Sequence, residues 1–378
     1  MKTIVILRKV LNPKTGFTKH FLKTHKNSSY KKIIVTSKVD CDSVELEEIK
    51  NSGFDVIVST KVETILKIKP DLIEIHGGLM TVFSYVQFFK ALKEFKVLLF
   101  IHSTKFSLRD LMYLKFKDIF LERKYTIDGA FLANALMPVK VYLFVLVKVL
   151  KLKLAGVTIA SKSAYDKYKR VFRRSNINFY YLHSGIEDKI SGSDNRVLHK
   201  DGIVNIVSFS RAQFVRGYDI LLNTVPYVVK HNTNFKIKLY LLPDISTHRI
   251  VKMAQRSNCK NYITIQIGKA NIEKIFNEAD MFVFLIRSMR VIPFQPLTVI
   301  EALNTGKVVI TSNLPEMNEL KEHYNNIVCV DDYKNPEKLA EIILKNINKK
   351  KLNNKDVKYY SWEIITDLQN KIYKEIIK

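Results

Sequence analysis

Short β-branched segments alternate with amphipathic segments along this chain, and this alternation limits the fold more than any other feature of the sequence. In the first half, the β-branched segments are Thr3–Leu7, Lys32–Thr36, Val56–Val58, Leu72–His76, Val97–His102, Val157–Ala160 and Asn178–Leu182. In the second half, they are Val204–Ser208, Lys236–Leu241, Ile263–Ile265, Met281–Phe284, Val308–Thr311 and Ile327–Val330. Such alternation is typical of parallel sheets flanked by helices. The sequence therefore predicts an α/β protein with two Rossmann-like domains.

A polar stretch separates the two series of strands. Residues Glu187–Gly202 are rich in Asp, Ser, Gly and Lys and show no hydrophobic periodicity, which is typical of a linker. A chain of 378 residues is also too long for a single ordinary core. We therefore predict a first domain over 1–187, a linker over 188–202, a second domain over 203–355 and a C-terminal helical segment over 356–378.

The chain is strongly basic, with 62 Lys and Arg against 36 Asp and Glu and a formal net charge of +26. Such a field attracts nucleic acid, an anionic membrane surface or a phosphate-bearing substrate, and a generally lysine-rich surface gives the same total. The basic residues are spread along the sequence, which contains no helix-turn-helix, zinc-finger or RNP pattern. The sequence therefore disfavours nucleic acid as the partner.

The cysteines and the N-terminus indicate the compartment. Cys41, Cys259 and Cys329 lie far apart without metal-ligand spacing, so we predict neither a disulfide framework nor a structural zinc site. The first apolar run is interrupted at once by Arg8 and Lys9, which is typical of a buried strand rather than a signal peptide. We expect a cytoplasmic protein.

The stretch Leu111–Leu154 interrupts the alternation with a long, apolar composition that favours helix. Four lysines surround its most apolar part, Val141–Val147, and they are Lys140, Lys148, Lys151 and Lys153. They leave fewer than the roughly 18 uninterrupted apolar residues that a membrane span needs. Two interpretations stay open: a core helix, or a helix lying on an anionic membrane surface with its lysines toward the headgroups.

Four segments of the second half form a recognisable pattern, and they are Ile206–Arg211, Arg216–Leu222, Ala279–Phe284 and Pro296–Gly306. Together they resemble the donor domain of family 4 glycosyltransferases. The resemblance implies the GT-B fold, in which two Rossmann-like domains face each other across a cleft. It also implies retaining transfer of a sugar from a nucleotide-sugar donor to a glycan or lipid-linked acceptor, with no cofactor and no metal.

Two arginines are the predicted catalytic groups of the second half. Arg211 ends its first strand and Arg216 follows in the next turn, so both can reach a crevice at the carboxyl end of that strand. In the resembled family a Gly-Arg dipeptide and a later Lys-Gly pair grip the donor diphosphate, and here Ser210 replaces the glycine and Arg216 the lysine. Without a metal, fixed cations and backbone N–H groups must stabilise the charge that grows on the departing diphosphate.

A predicted helix start supplies further donor contacts. The chain enters a helix just after Pro296, and proline is tolerated at this place. The free N–H groups of such a first turn bind anions. We therefore predict that the backbone of Leu297, Thr298 and Val299 contacts the diphosphate.

Only one of the two motif glutamates of the family is present. Glu301 matches the second, which implies hydrogen bonds from ribose hydroxyls, although a first-turn glutamate also favours a helix without any ligand. Pro293 stands where the first glutamate is expected. Gln295 could donate a neutral hydrogen bond there, and Arg287 and Arg290 could favour an acidic sugar or add phosphate contacts, although structural roles suit all three residues better. The missing carboxylate leaves a non-catalytic sugar-nucleotide-binding protein as the alternative function.

The resemblance assigns four further residues. Gly268 and Lys269 lie in a turn that frames the nucleobase in the family, which leaves the identity of the base open. His102 resembles a strand-end histidine that hydrogen-bonds the donor sugar, and Gly16 matches one glycine of a pair that lets backbone approach the phosphates. Gly16 and Gly268 could instead be ordinary turn residues, and His102 an ordinary strand-end residue.

The C-terminal segment contains the only tryptophan of the chain, Trp362, within Ser361-Trp362-Glu363. Ser361 is a suitable N-cap for the amphipathic helix that follows. The resemblance implies that this helix crosses back and packs on the first domain.

Overall fold

The structure is a computed structural model of the 378-residue chain. It describes residues 1–13, 22–25, 29–77, 79–101, 145–173, 176–186, 202–268, 271–287, 296–347 and 357–378. The described residues form two compact units. The first unit comprises those up to Gly185 together with Tyr360–Lys378, and the second comprises those within Ile186–Tyr359.

The first unit is built on a parallel sheet. Its strands are β1 Thr3–Leu11, β2 Lys31–Val39, β3 Phe54–Val58, β4 Leu72–Gly77, β5 Val97–Ile101, β6 Leu154–Ile159 and β7 Asn178–Tyr181. Its helices include α1 Ser43–Asn51, α2 Val62–Ile68, α3 Phe89–Glu94 and α4 Lys162–Val171, with a 3-10 segment over Leu79–Phe88. The strand order is β3-β2-β1-β4-β5-β6-β7, and every pairing is parallel. The inner strand β1 carries four consecutive fully buried residues, Ile4 to Leu7, because helices cover both faces of such a sheet.

The second unit repeats this architecture with six strands. They are β8 Val204–Arg211, β9 Phe235–Leu242, β10 Ile263–Ile267, β11 Met281–Phe284, β12 Val308–Ser312 and β13 Ile327–Val330. Its helices include α5 Tyr218–Val229, α6 Thr247–Arg256, α7 Ile272–Glu278, α8 Leu297–Asn304, α9 Pro315–Asn318 and α10 Pro336–Asn346. The order is β10-β9-β8-β11-β12-β13, again parallel throughout. All thirteen predicted strands are present, and the two-sheet α/β prediction is confirmed.

The C-terminal helix α11, Trp362–Ile377, belongs to the core of the first unit, as predicted. The Ser361 hydroxyl caps it by accepting a hydrogen bond from the Ile364 N–H at 3.4 Å. The apolar side chains that it adds to the core include Ile365, Ile372 and Tyr373. A segment distant in sequence thus completes the hydrophobic core beneath the first sheet.

The predicted helical stretch Leu111–Leu154 is described only from residue 145 onward. There the helical prediction is wrong at its end, because Val145–Val149 is a single π-helical turn and Leu154 already begins β6. Leu146 and Leu152 are buried, so this end of the stretch contributes to the core. Among the described residues, the structure contains no helix with the length and hydrophobicity of a membrane span.

Candidate functional site

The second sheet changes direction between two of its central strands. From β8 the chain continues to β9 and β10 on one side, and it then returns to β11, β12 and β13 on the other. In open parallel sheets, ligands bind at the carboxyl ends of the two strands where the order reverses. Arg211 ends β8, Arg216 lies in the loop after β8, and α8 is the helix that follows β11. Arg211, Arg216 and the start of α8 thus come from the two strands that meet at this switch point and from the loops that follow them.

Arg211 is solvent-accessible and lies beside a buried carboxylate. Its Nη1 atom is 3.5 Å from Oδ2 of Asp244, and the two side chains are 58% and 6% exposed. The Gln213 amide donates to the same oxygen at 3.1 Å. Asp244, which lies just beyond β9, therefore limits the directions in which Arg211 can point. This contact between two separate loops was not predicted from the sequence.

Arg216 ends a short 3-10 turn, Phe214–Arg216, which leads into α5 through Gly217. Gly217 has φ +69° and is the N-cap of α5. The Arg216 guanidinium carbon is 5.6 Å from the centroid of the Phe284 ring at the end of β11, a cation–π contact. The loop after β8 is therefore packed against the strand on the other side of the switch point.

Ser210, which replaces the glycine of the family pattern, has a structural role. Its Oγ atom is 2.8 Å from the Tyr218 hydroxyl, which also donates to the Ser210 carbonyl at 3.1 Å. Burial raises the pKa of Tyr218 to about 12. A neutral tyrosine thus fixes the end of β8 directly before Arg211.

The first turn of α8 has no side-chain cap, and its N-cap residue is Pro296. The Val299 N–H donates to the Pro296 carbonyl at 2.9 Å. The amides of Leu297 and Thr298, rather than that of Val299, are therefore the ones that the turn presents to a ligand. This reduces the predicted backbone anion site from three residues to two.

Glu301 is the fifth residue of α8 and is 5% exposed. The helix begins just after Pro296, as predicted, but the prediction that Glu301 lies in its first turn is wrong, because that turn contains no acidic residue. A helix dipole acts mainly within the first turn, so it does not explain this carboxylate. The ribose contact of Glu301 stays a prediction.

Gly268 follows the edge strand β10, and its N–H donates to the Leu241 carbonyl at 3.0 Å. Its φ of +113° suits glycine, and an added Cβ would meet no atom within 4 Å. Gly268 lies at the carboxyl edge of the sheet, two strands away from β8, which corresponds to roughly 10 Å. Three predicted residues, Gly16, His102 and Lys269, lie outside the described residues, as do Arg290, Pro293 and Gln295.

The first unit contains a buried polar cluster that the sequence analysis missed. The Glu74 carboxylate, fully buried on β4, accepts hydrogen bonds from His76 and from the Tyr373 hydroxyl of α11. His25 Nε2 lies 3.5 Å from Glu74 Oε2 and 2.6 Å from the Tyr373 hydroxyl. A glutamate inside an otherwise apolar strand was the signal that could have revealed this cluster.

The buried cluster shifts the pKa values of Glu74 and His76. Burial alone would raise the pKa of Glu74, but the charge and hydrogen bonds of His25 and His76 lower it well below its usual range. Burial lowers the pKa of His76, although the Glu74 carboxylate opposes this shift. His76 also stacks on Phe100, with ring centroids 4.3 Å apart. Its 1% exposure places it in the core rather than at a ligand surface.

Comparison with known proteins shows which family and which solved structures this chain resembles. Residues 203–349 match the family described as glycosyl transferases group 1. The whole chain also resembles a glycosyltransferase from Rickettsia africae, with 17% identity, a TM-score of 0.66, and 100% of this chain and 99% of the other covered. It resembles sucrose-phosphate synthase from Thermosynechococcus elongatus at 13% identity, with a TM-score of 0.67 and coverage of 100% and 99%.

A third structure of this fold is Anabaena HepE in complex with UDP and glucose, at 14% identity, with a TM-score of 0.61 and coverage of 100% and 96%. No curated protein matches this sequence. The whole-chain structural matches show the GT-B fold, and the family match lies within the second unit. The match over residues 203–349 contains all four motif segments and supports the resemblance at the level of the glycosyl transferases group 1 family.

Proposed function

We propose that this protein is a retaining glycosyltransferase that transfers a sugar from a nucleoside-diphosphate sugar to a glycan or lipid-linked acceptor without a metal. The observation that supports this most strongly is the switch point of the second sheet. There Arg211, Arg216 and the uncapped start of α8 come from the loops of β8 and β11, within the domain that matches the family.

In the proposed mechanism these groups stabilise the leaving group. The two guanidinium groups and the amides of Leu297 and Thr298 bind the diphosphate, and they bind it more strongly as negative charge grows on it. Glu301 accepts hydrogen bonds from the ribose. The acceptor hydroxyl attacks from the face that the diphosphate leaves, and a phosphate oxygen of the leaving group takes its proton. Retention of configuration follows from this front-face displacement.

The test of the donor site is a calorimetric screen of UDP, GDP, ADP and CMP without added metal. Because HepE was crystallised with UDP, UDP is the first nucleotide to test. We expect one nucleoside diphosphate to bind. Arg211→Ala should weaken its Kd by about tenfold or more, since a hydrogen bond to a charged group contributes about 1.5–3 kcal/mol. Glu301→Ala should weaken it as well.

Arg256→Ala is the matched control, because Arg256 is an exposed arginine at the far end of α6 in the same unit. It should leave the Kd unchanged. Absence of any nucleotide binding, or equal Kd values in all three variants, would contradict the proposed donor site.

Pro293 motivates the second candidate, a sugar-nucleotide-binding protein without turnover. One measurement distinguishes the two candidate functions, and it is the release of nucleoside diphosphate from its sugar conjugate in the presence of acceptors. Tight donor binding without release across a broad panel of glycan and lipid-linked acceptors would favour the non-catalytic candidate. Release that depends on Arg216 would favour the transferase.

We propose that the acceptor is reached at the cytoplasmic face of an anionic membrane. The support is local: Val149 is 60% exposed, and the lysines around it are exposed as well. These are Lys148, Lys151 and Lys153. An apolar side chain surrounded by cations suits a surface of anionic headgroups.

Flotation with vesicles that contain anionic lipid tests the membrane proposal. We expect binding that is lost when Lys148, Lys151 and Lys153 are changed to Glu. The control changes Lys230, Lys252 and Lys260, three exposed lysines of the second unit, to Glu and so alters the net charge equally. Equal loss in both triple variants, or no flotation of the wild type at moderate salt, would contradict a specific membrane surface.

A further inference from the structure

Arg287, just beyond the end of β11, forms hydrogen bonds with residues on either side of Arg216. Its backbone N–H donates to the Val215 carbonyl at 2.9 Å. Its guanidinium donates from Nη1 to the Phe214 carbonyl at 3.1 Å and from Nη2 to Asp219 Oδ2 at 2.6 Å. These partners lie on both sides of Arg216 in the sequence. The end of β11 therefore holds the backbone before and after this residue.

A close packing contact adds to these hydrogen bonds. A Cβ on Gly217 would lie 2.4 Å from the Leu285 carbonyl oxygen and 2.5 Å from the Leu285 Cβ, so the loop lies directly on the end of β11. The Arg287 and Asp219 side chains are each only 16% exposed. A guanidinium that donates to two fixed acceptors in a partly buried site holds a more definite geometry than a surface ion pair.

We propose that Arg287 is a positioning residue, which fixes the loop between β8 and α5 so that Arg216 is oriented for the donor diphosphate. This inference rests on the proposed function. A cation held in place before the ligand arrives loses little conformational freedom on binding, and the charge on the departing diphosphate then meets a site that needs no rearrangement. The Arg287 guanidinium donates its hydrogen bonds to protein atoms, so it does not select an acidic sugar.

A purely structural role would weaken all ligands equally, whereas positioning of Arg216 affects the diphosphate in particular. The readout is therefore the ratio of the Kd of UMP to the Kd of UDP, measured by calorimetry. GDP with GMP, or ADP with AMP, replaces this pair if the wild type prefers that base. Arg216→Ala defines the ratio that remains when the positioned cation is lost.

The variants separate positioning from general stability. Arg287→Ala removes the whole contact. Arg287→Lys keeps the charge but cannot reach both Phe214 and Asp219 with one planar fork. Asp219→Asn weakens the ion pair with little change of shape, and it replaces Arg287→Ala as the test variant if that protein does not fold. Lys238→Ala is the matched control, because it removes a partly buried ion pair to Glu278 of 3.3 Å on β9 in the same unit.

We expect Arg287→Ala to lower the ratio on the order of tenfold, toward the value of Arg216→Ala, because small displacements of a binding group have effects of this size. Arg287→Lys and Asp219→Asn should give intermediate ratios, and Lys238→Ala the wild-type ratio. Folding of each variant is checked by circular dichroism.

Wild-type ratios in folded Arg287→Ala and Asp219→Asn, beside a lowered ratio in Arg216→Ala, would overturn the positioning role alone. A wild-type ratio in Arg216→Ala would overturn it as well, since Arg216 would then contribute nothing to diphosphate binding. If the wild type binds no nucleoside diphosphate, the proposed function fails and this inference fails with it.

Discussion

Gly217 satisfies a backbone requirement and a packing requirement at once. Its φ of +69° is unfavourable for other residues, and the space where a Cβ would stand is occupied by the Leu285 backbone. We predict that Gly217→Ala lowers the free energy of unfolding by about 2–4 kcal/mol, because strain and overpacking add. Urea denaturation followed by circular dichroism measures this change.

Gly202 is the control for this prediction, since its φ is +68° and a Cβ there would meet no atom within 4 Å. Gly202→Ala should cost only the backbone strain, about 1 kcal/mol. If the two substitutions cost the same, the contact with Leu285 does not contribute.

The pair formed by Glu74 and His76 predicts acid sensitivity. Because burial lowers the pKa of His76, its contribution to stability is complete above the unfolded value of about 6.5 and is lost as the pH falls below it. The lowered pKa of Glu74 adds a second loss below about pH 4.3, where the unfolded carboxylate takes up its proton. We expect the free energy of unfolding to fall from about pH 7 to about pH 5 and to fall further in stronger acid.

His76→Gln isolates the first of these two losses. Each unit of difference between the folded and unfolded pKa corresponds to about 1.4 kcal/mol, so the slope between about pH 7 and about pH 5 should become clearly flatter in this variant. Urea titrations at a series of pH values give the comparison. An unchanged slope would mean that His76 does not cause the pH dependence.

At the scale of elements, α11 belongs to the first core although it lies at the other end of the chain. Ile365 is fully buried in that core. We predict that Ile365→Ala lowers the free energy of unfolding by about 2–5 kcal/mol, as for other large-to-small core substitutions. Lys371→Ala, on the exposed face of α11, should change it by less than about 0.5 kcal/mol. Similar small effects of both variants in denaturation experiments would contradict the packing of α11.

The elements themselves were largely predictable, because strands buried on both faces need continuous β-branched runs and helices need apolar periodicity. Met281–Phe284 and Ile327–Val330 have the bounds that the sequence predicts. Other strands extend further than predicted: β8 continues to Arg211, since pairing with β9 stabilises residues that lack an apolar pattern. The error at Leu154 has the same origin, because a lysine-flanked leucine becomes a strand residue only through its neighbour β5.

At the scale of the whole molecule, each sheet has a switch point that the sequence does not specify. The two strand orders decide that the loops of β8 and β11 meet, and that β1 lies beside β4. This placement turned separate motifs into one candidate site. It also explains why Asp244 and the contacts of Arg287 were missed, since their partners lie 31 to 73 positions away in the sequence.

Local sequence alone determined the alternating elements, the two series of strands and the donor motifs from Arg211 to Glu301, because periodicity, turn residues and short spacings act within a few residues. The tertiary structure alone decided the burial of Glu74 between two histidines and Tyr373, and the contact of Gly185 with the Trp362 ring, 2.5 Å from an added Cβ. It also decided the contacts of Arg287 with Phe214 and Asp219. Such contacts join distant positions, and their energies depend on burial and geometry that exist only after the chain has folded.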